Sequence, residues 1–275
     1  MAAQASSIQV SRMTAGLVFI GLMLFPLYWM LNASLLPQQI LVRSAPTWFP
    51  TSPIWDGFRT AFELQTGHVA VSCMIAGLTA IFSLIVATPC AYALVIFRMR
   101  WATGFVAILL LVQMIPHVVM ANALYVIYAK VGLLNSYFGL VLADSTMGIP
   151  FAILILRAYM LSLPRTLTEA ALIDGTGYWG AFFRIILPLS RNGLITAGLF
   201  CFLFAWSDFI FALTMFTTQK TVPITLGIYQ FIGIHRTEWT TIMATAVMAS
   251  VPPIILLLFA QNYITAGLTG GALKE

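Results

Sequence analysis

Charge is what this sequence has least of. Lys, Arg, Asp and Glu make up 8% of its 275 residues, against about 25% in a soluble globular domain. With 61% hydrophobic residues and a mean hydropathy of +0.97, a surface this poor in charge could not stay in water. The solvent for most of the chain is lipid. Cysteine is nearly absent too: Cys73, Cys90 and Cys201 lie inside apolar runs at spacings that fit no zinc site, which leaves them as small hydrophobes. The phosphate-cradling pattern G-x-x-x-x-G-K-S/T is missing, so no nucleotide hydrolysis is expected from this chain. No serine–histidine–acid or paired-carboxylate set is placed to converge, so no catalytic residue and no metal site are assigned.

What is present is a series of apolar windows. They place spans at 14–36, 69–97, 101–129, 137–156, 194–216 and 240–266, each near or above the roughly 20 residues a membrane helix needs. The window 14–36 has no charge and exceeds the apolar core of a secretory signal, so it reads as a retained first span. Six spans with short loops use up the chain and predict one all-α transmembrane domain over 1–275. Pro26 and Pro116 should bend the first and third spans, and Pro252-Pro253 lies in the middle of the sixth. A short amphipathic helix is expected around 55–64, and Asp144 near the outer end of the fourth span. Basic residues favour the cytoplasm. With the N-terminus inside, Arg12, Arg98, Arg100, Arg157, Arg165, Arg184, Arg191 and Lys274 are cytoplasmic, while Arg43, Arg59, Lys130, Lys220 and Arg236 are outside: eight against five of the thirteen.

The connection 157–191 concentrates charge, with Arg157, Arg165, Glu169, Asp174, Arg184 and Arg191. Charge is costly in lipid, so this segment marks protein surface in water. Pro164 suits a first helical turn, Thr166 or Thr168 could cap it, and Asp174-Gly175 is a stop signal. A short helix ending in a turn makes a compact knob. Ala170 and Ala171 keep its face slim, and Glu169 can pair with Arg165 or with a basic group elsewhere. Gly175-Thr-Gly-Tyr-Trp-Gly180 fits G-x-G-x-x-G, but it follows a helix rather than a strand, so no dinucleotide site is expected. A helix–turn–helix look over 167–186 is tethered in lipid, which excludes entry into a DNA groove.

The run Glu169-Ala-Ala-Leu-Ile-Asp-Gly175 followed by Phe183-Arg-Ile-Ile-Leu-Pro188 resembles the EAA loop of permease subunits of ATP-binding-cassette importers. Ala205-Trp-Ser-Asp-Phe209 resembles the Trp-Asn-Asp/Glu-Phe block of their carbohydrate members, with Ser207 in place of Asn. Gly267-Leu-Thr-Gly-Gly-Ala-Leu-Lys274 is similar to the ending of the second permease of maltose-type importers. Thr176 and Val71 depart from the pattern, which otherwise runs through nearly the whole chain.

The resemblance implies a polytopic all-α permease of six transmembrane helices with a cytoplasmic EAA coupling helix. Its coupling residues are then Glu169, Ala170, Ala171, Asp174 and Gly175. It also implies a second, non-identical permease, two cassette ATPases that hold ATP and magnesium, and an extracytoplasmic substrate-binding protein. The chain would be a multi-pass subunit of a bacterial or archaeal plasma membrane, both termini cytoplasmic, with no cofactor of its own and no nucleic-acid partner. The implied cargo is a sugar or sugar derivative.

Polar residues inside the spans supply candidates for a substrate path: Gln113, His117 and Asn122 in the third, Trp206 and Asp208 in the fifth. A carboxylate in lipid normally faces a cavity or a partner. Asp208 is therefore open to two readings, sugar contact or helix packing, and to a third in which an ion-coupled carrier uses it as a proton site.

Overall fold

The computed structural model describes residues 2–42, 45–97, 99–218, 220–232 and 237–269, with side chains within 12–263. Helices follow in the order α1 (Ala2–Ser34), α2 (Gln38–Leu41), α3 (Asp56–Ile96), α4 (Ala102–Val112), α5 (His117–Val131), α6 (Tyr137–Ser162), α7 (Thr166–Ile173) and α8 (Gly177–Ala181). A π-helical turn, Phe182–Ile186, leads through α9 (Leu187–Leu189) to α10 (Arg191–Ser207), α11 (Ile210–Met215), α12 (Ile224–Tyr229) and α13 (Trp239–Thr269). No strand occurs among the described residues; Ile232 and Thr237 form an isolated bridge. Arg43, Arg98, Arg236 and Lys274, with most of the Gly-rich ending, lie outside the described residues.

Four helical stretches are long and apolar enough to cross a membrane: Arg12–Ser34, Asp56–Ile96, Tyr137–Ser162 and Trp239–Tyr263. Two bent pairs raise the number to six if each is one span. Ala102–Val112 and His117–Val131 meet at 94°, and Gly177–Leu189 meets Arg191–Ser207 at 75°. The first bend falls at Pro116, whose ring fixes φ and removes a donor. Two sequence expectations change here. The segment 55–64 is no separate helix, because α3 runs unbroken from Asp56. The fifth window is not one helix: α10 stops at Ser207, and Asp208 is extended at ψ 132 before α11 begins. The fourth span, α6, begins at Tyr137, and Asp144 is buried within it. Ser136 caps α6 by accepting from the Gly139 amide at 3.3 Å, which sets Asp144 two turns into the helix, 3% exposed.

The chain divides into two compact units. The first comprises Met1–Thr66 and Ile228–Ser250. In it α1 leaves Leu17, Phe19, Leu22 and Met23 more than half exposed, a surface suited to hydrocarbon and not to water. Near the end of α1, Phe25 and Trp29 gather around Trp48. The Tyr28 hydroxyl donates to the Trp48 carbonyl. Gln38 uses both ends of its amide, donating to the Thr237 carbonyl at 2.5 Å and accepting from the Thr240 amide at 3.3 Å. Gly57 allows α3 to start against Thr240, whose Cγ2 would stand 2.8 Å from an added Cβ.

The second unit, Gly67–Gly227 with Val251–Glu275, holds the main core. Helices in lipid gain little from the hydrophobic effect and pack by close approach of small residues. Gly148 of α6 shows this: a Cβ there would stand 2.6 Å from Ser83 Oγ and 3.3 Å from Cys201 Sγ. The Cys201 thiol donates to the Gly148 carbonyl at 3.4 Å. Around this seam Ala87, Ala91, Ala152, Leu156 and Ala197 form one buried cluster, which extends to Phe182 and Ile186. A second cluster joins Ile75, Leu140, Phe211, Met215 and Leu226. Ser72 of α3 accepts from the Ile224 amide at 2.7 Å, and Asn135, at φ 55, accepts from the Thr217 and Thr218 amides at 2.8 and 2.9 Å. These polar contacts tie the irregular segment after α11 to the helices.

Candidate functional site

Two features of the second unit stand out, a surface knob and a cavity. The knob is α7 with α8. Its stop is built by three backbone bonds: Asp174 N–H to Ala170 O at 2.9 Å, Gly175 N–H to Leu172 O at 3.1 Å and Thr176 N–H to Ala171 O at 3.1 Å. Gly175 sits at φ 77 between them. The last two bonds are the 5→2 and 6→1 pair of a Schellman motif, which needs a left-handed residue and so favours glycine. Thr176 Oγ1 donates to the Ala171 carbonyl at 2.7 Å and doubles the lock.

The start of α7 differs from expectation. Arg165 occupies the N-cap position with no side-chain cap bond, and Thr168 is buried at 4%. Neither threonine caps the helix. Of the coupling residues assigned from sequence, Glu169, Ala170, Asp174 and Gly175 are exposed. Ala171 is not: at 3% it faces inward and anchors the helix. Among the described residues Glu169 forms no ion pair with Arg165; the ion pair present is Arg59 with Glu63 at 3.1 Å.

Beyond the stop, the knob is fastened to the end of α3. Tyr92 donates its hydroxyl to the Tyr178 carbonyl at 3.0 Å, its ring lies 5.0 Å from that of Phe182, and Phe97 lies 5.0 Å from Tyr178. The π turn at Phe182–Ile186 puts Phe182 and Ile186 in the core while Phe183 faces out. Such turns insert one residue into the helical ladder and are frequent at functional sites. The outward side carries Ile173, 86% exposed, Trp179 and Phe183, whose rings stack 5.9 Å apart. Sequence reading concentrated on charge and missed these three; their signal was apolar residues inside a polar connection.

The cavity holds about 360 Å³ and brings together Gln113, His117, Asp144, Ser207 and Asp208, walled by Met147 and phenylalanines 204, 209 and 211. Three of the five path candidates thus converge: Gln113 and His117 from the break between α4 and α5, and Asp208 from the break after α10. Two do not. Trp206 is buried and stacked on Phe202, 5.7 Å away and 13° from parallel. Asn122 is exposed away from the cavity lining.

Asp208 is a helix cap. Its Oδ1 accepts from the Phe211 amide at 3.1 Å and its Oδ2 from the Ala212 amide at 2.9 Å. Its own carbonyl accepts from Thr225 Oγ1 at 2.5 Å. Two of the orphan donors at the start of α11 are satisfied this way. Asp144 supplies the cavity's second carboxylate.

An all-helical, multi-pass membrane protein with a rigid polar knob carried between apolar segments has the architecture of a transport permease subunit. Residues 83–270 match the family described as binding-protein-dependent transport system inner membrane component, and the chain belongs to that family. It is 33% identical over 265 residues to the diacetylchitobiose uptake system permease protein DasC of Streptomyces coelicolor, covering 96% of both chains. It is 32% identical over 255 residues to the sulfoquinovosyl glycerol transport system permease protein SmoH of Agrobacterium fabrum, covering 91% of this chain and 89% of that one. Its fold matches a chain of a bacterial ABC transporter involved in the import of the acidic polysaccharide alginate. The TM-score is 0.79 at 19% identity, over 94% of this chain and 96% of that chain.

Proposed function

We propose that this chain is one transmembrane half of an ATP-driven importer for a sugar or sugar derivative, and that the α7–α8 knob receives the stroke of a cytoplasmic ATPase. The observation that carries this reading is the build of the knob. It is stopped by a double-locked glycine turn, pinned to α3 through Tyr92 and Phe182, and exposed at Glu169, Ile173 and Trp179. A push on that face reaches the membrane helices with little loss, because interiors packed this closely transmit displacement. Exposed apolar residues beside charge are also what a docking surface offers a partner.

In this reading the whole chain acts as one transmembrane domain with both termini in the cytoplasm. A second, non-identical permease completes the pathway. Two cassette ATPases hold ATP and magnesium, and an extracytoplasmic binding protein delivers cargo. The chain contributes neither catalytic residue nor cofactor. DasC, named for diacetylchitobiose uptake, and SmoH, named for sulfoquinovosyl glycerol transport, support a carbohydrate cargo.

The rival, an ion-coupled carrier with Asp208 as proton site, is disfavoured because both carboxylate oxygens already hold backbone amides. The readings part in proteoliposomes containing this chain and its copurifying partners. Uptake is expected to require ATP on the ATPase side and to be unchanged by an uncoupler at fixed ATP. Uptake driven by a proton gradient without ATP would overturn the proposal.

A further inference from the structure

Among the described residues, Asp144 is a buried carboxylate with an unpartnered oxygen at the wall of the cavity. It is 3% exposed, its Oδ2 has no hydrogen-bond partner, and it lines the 360 Å³ cavity. A buried carboxylate oxygen without a partner is costly, so its retention needs an occupant that donates to it. The rest of the lining restricts that occupant. Asp208 lies within electrostatic reach and brings a second carboxylate. Gln113 and Ser207 add neutral polar groups, and among the described residues His117 is the one basic residue of the lining, with no lysine or arginine. Phenylalanines 204, 209 and 211 supply apolar faces. Carboxylates accept hydrogen bonds and do not donate them. Apolar walls with a few convergent polar groups are the make-up of a small-molecule site, and the volume falls within the range of such sites.

We propose that Asp144 and Asp208 make this cavity a hydrogen-bond-accepting sugar subsite that admits neutral and amino-bearing units and turns away anionic ones. Hydroxyls and an ammonium group can donate to the Asp144 side chain; a uronate or sulfonate brings acceptors only, to a lining whose acidic side chains offer it no cation. The subsite rests on the importer reading for its cargo class, but it makes a separate claim about charge. Asp144 is the specificity-determining residue. Asp208 keeps its capping bonds and contributes field more than contact.

The test uses the purified complex in nanodiscs without binding protein. Saturation-transfer NMR is recorded with methyl glucoside, glucosamine and glucuronate, three probes of one size and different charge. Transfer is expected to the first two and not to glucuronate. Asp144→Asn keeps the shape of the side chain and removes its charge; it should weaken glucosamine relative to methyl glucoside by about tenfold and bring in glucuronate. Because Asp144 is buried, Ser207→Lys at the exposed rim serves as a second variant and should also raise the glucuronate signal. Equal transfer to all three probes, transfer to none, or ratios unmoved in both variants would overturn the subsite. Those results leave the importer reading standing, since ATP-dependent uptake is scored separately in proteoliposomes.

Discussion

Gly175→Trp should abolish uptake while leaving the protein inserted and assembled in the membrane. The two effects separate because of where Gly175 points. A Cβ there meets nothing within 4 Å, so a side chain can leave the exposed turn without an immediate clash. The intramolecular cost is that of holding a non-glycine residue at φ 77, about 1 kcal/mol. The indole instead fills the space in which an ATPase would dock. Losing one docking anchor at the centre of an interface costs about 2 kcal/mol or more, roughly thirtyfold in affinity. Gly175→Ala carries the same backbone strain without the bulk and should keep most of the uptake. Glu169→Lys is a second route to the same loss, since Glu169 is exposed and reversing its charge breaks no internal ion pair. Uptake is measured in proteoliposomes, with insertion and copurified partner scored on the same preparation. Full uptake by Gly175→Trp would remove the docking assignment.

The knob was legible in the sequence because charge among apolar residues is a loud signal and Asp174-Gly175 is a local one. Its turn depends on neighbours within six residues. The cavity was legible only in part, because its members come from 113–117, 144–147 and 204–211, and no local rule brings those together. Trp206 and Asp208 looked like one site, yet residues two apart on a helix point to opposite sides. The chain leaves helical geometry only at Asp208, so Trp206 turns into the packing against Phe202. Asn122 lies five residues beyond His117, about 140° around the helix at 100° per residue, which takes it off the cavity face. Asp144 was left out of the candidate path because hydropathy, which gives the start of its span at Tyr137, says nothing of which face of that helix turns to a cavity.

Asp208→Ala should destabilise the complex far more than Asp208→Asn does. Alanine leaves the Phe211 and Ala212 amides without an acceptor in a partly buried position. Loss of a cap costs about 1 kcal/mol, and unsatisfied buried donors bring the total to about 2–3 kcal/mol. Asparagine retains one acceptor oxygen and can hold one of the two amides. The order expected in thermal midpoint and in copurified partner is therefore wild type, then Asn, then Ala, with α11 and the second core cluster loosening first. If Asp208 worked only as a sugar contact, Ala and Asn would assemble equally well and differ only in uptake. Equal midpoints for all three proteins would discard the capping role.

The most direct test of coupling fixes the knob to the ATPase. A cysteine replacing Ile173, 86% exposed at the end of α7, is linked by a reducible thiol reagent to a cysteine in the copurified ATPase. The account predicts a heterodimeric adduct, arrest of ATP-driven uptake when the link forms, and recovery when it is reduced. No adduct, or an adduct that leaves uptake running at the unlinked rate, would contradict it.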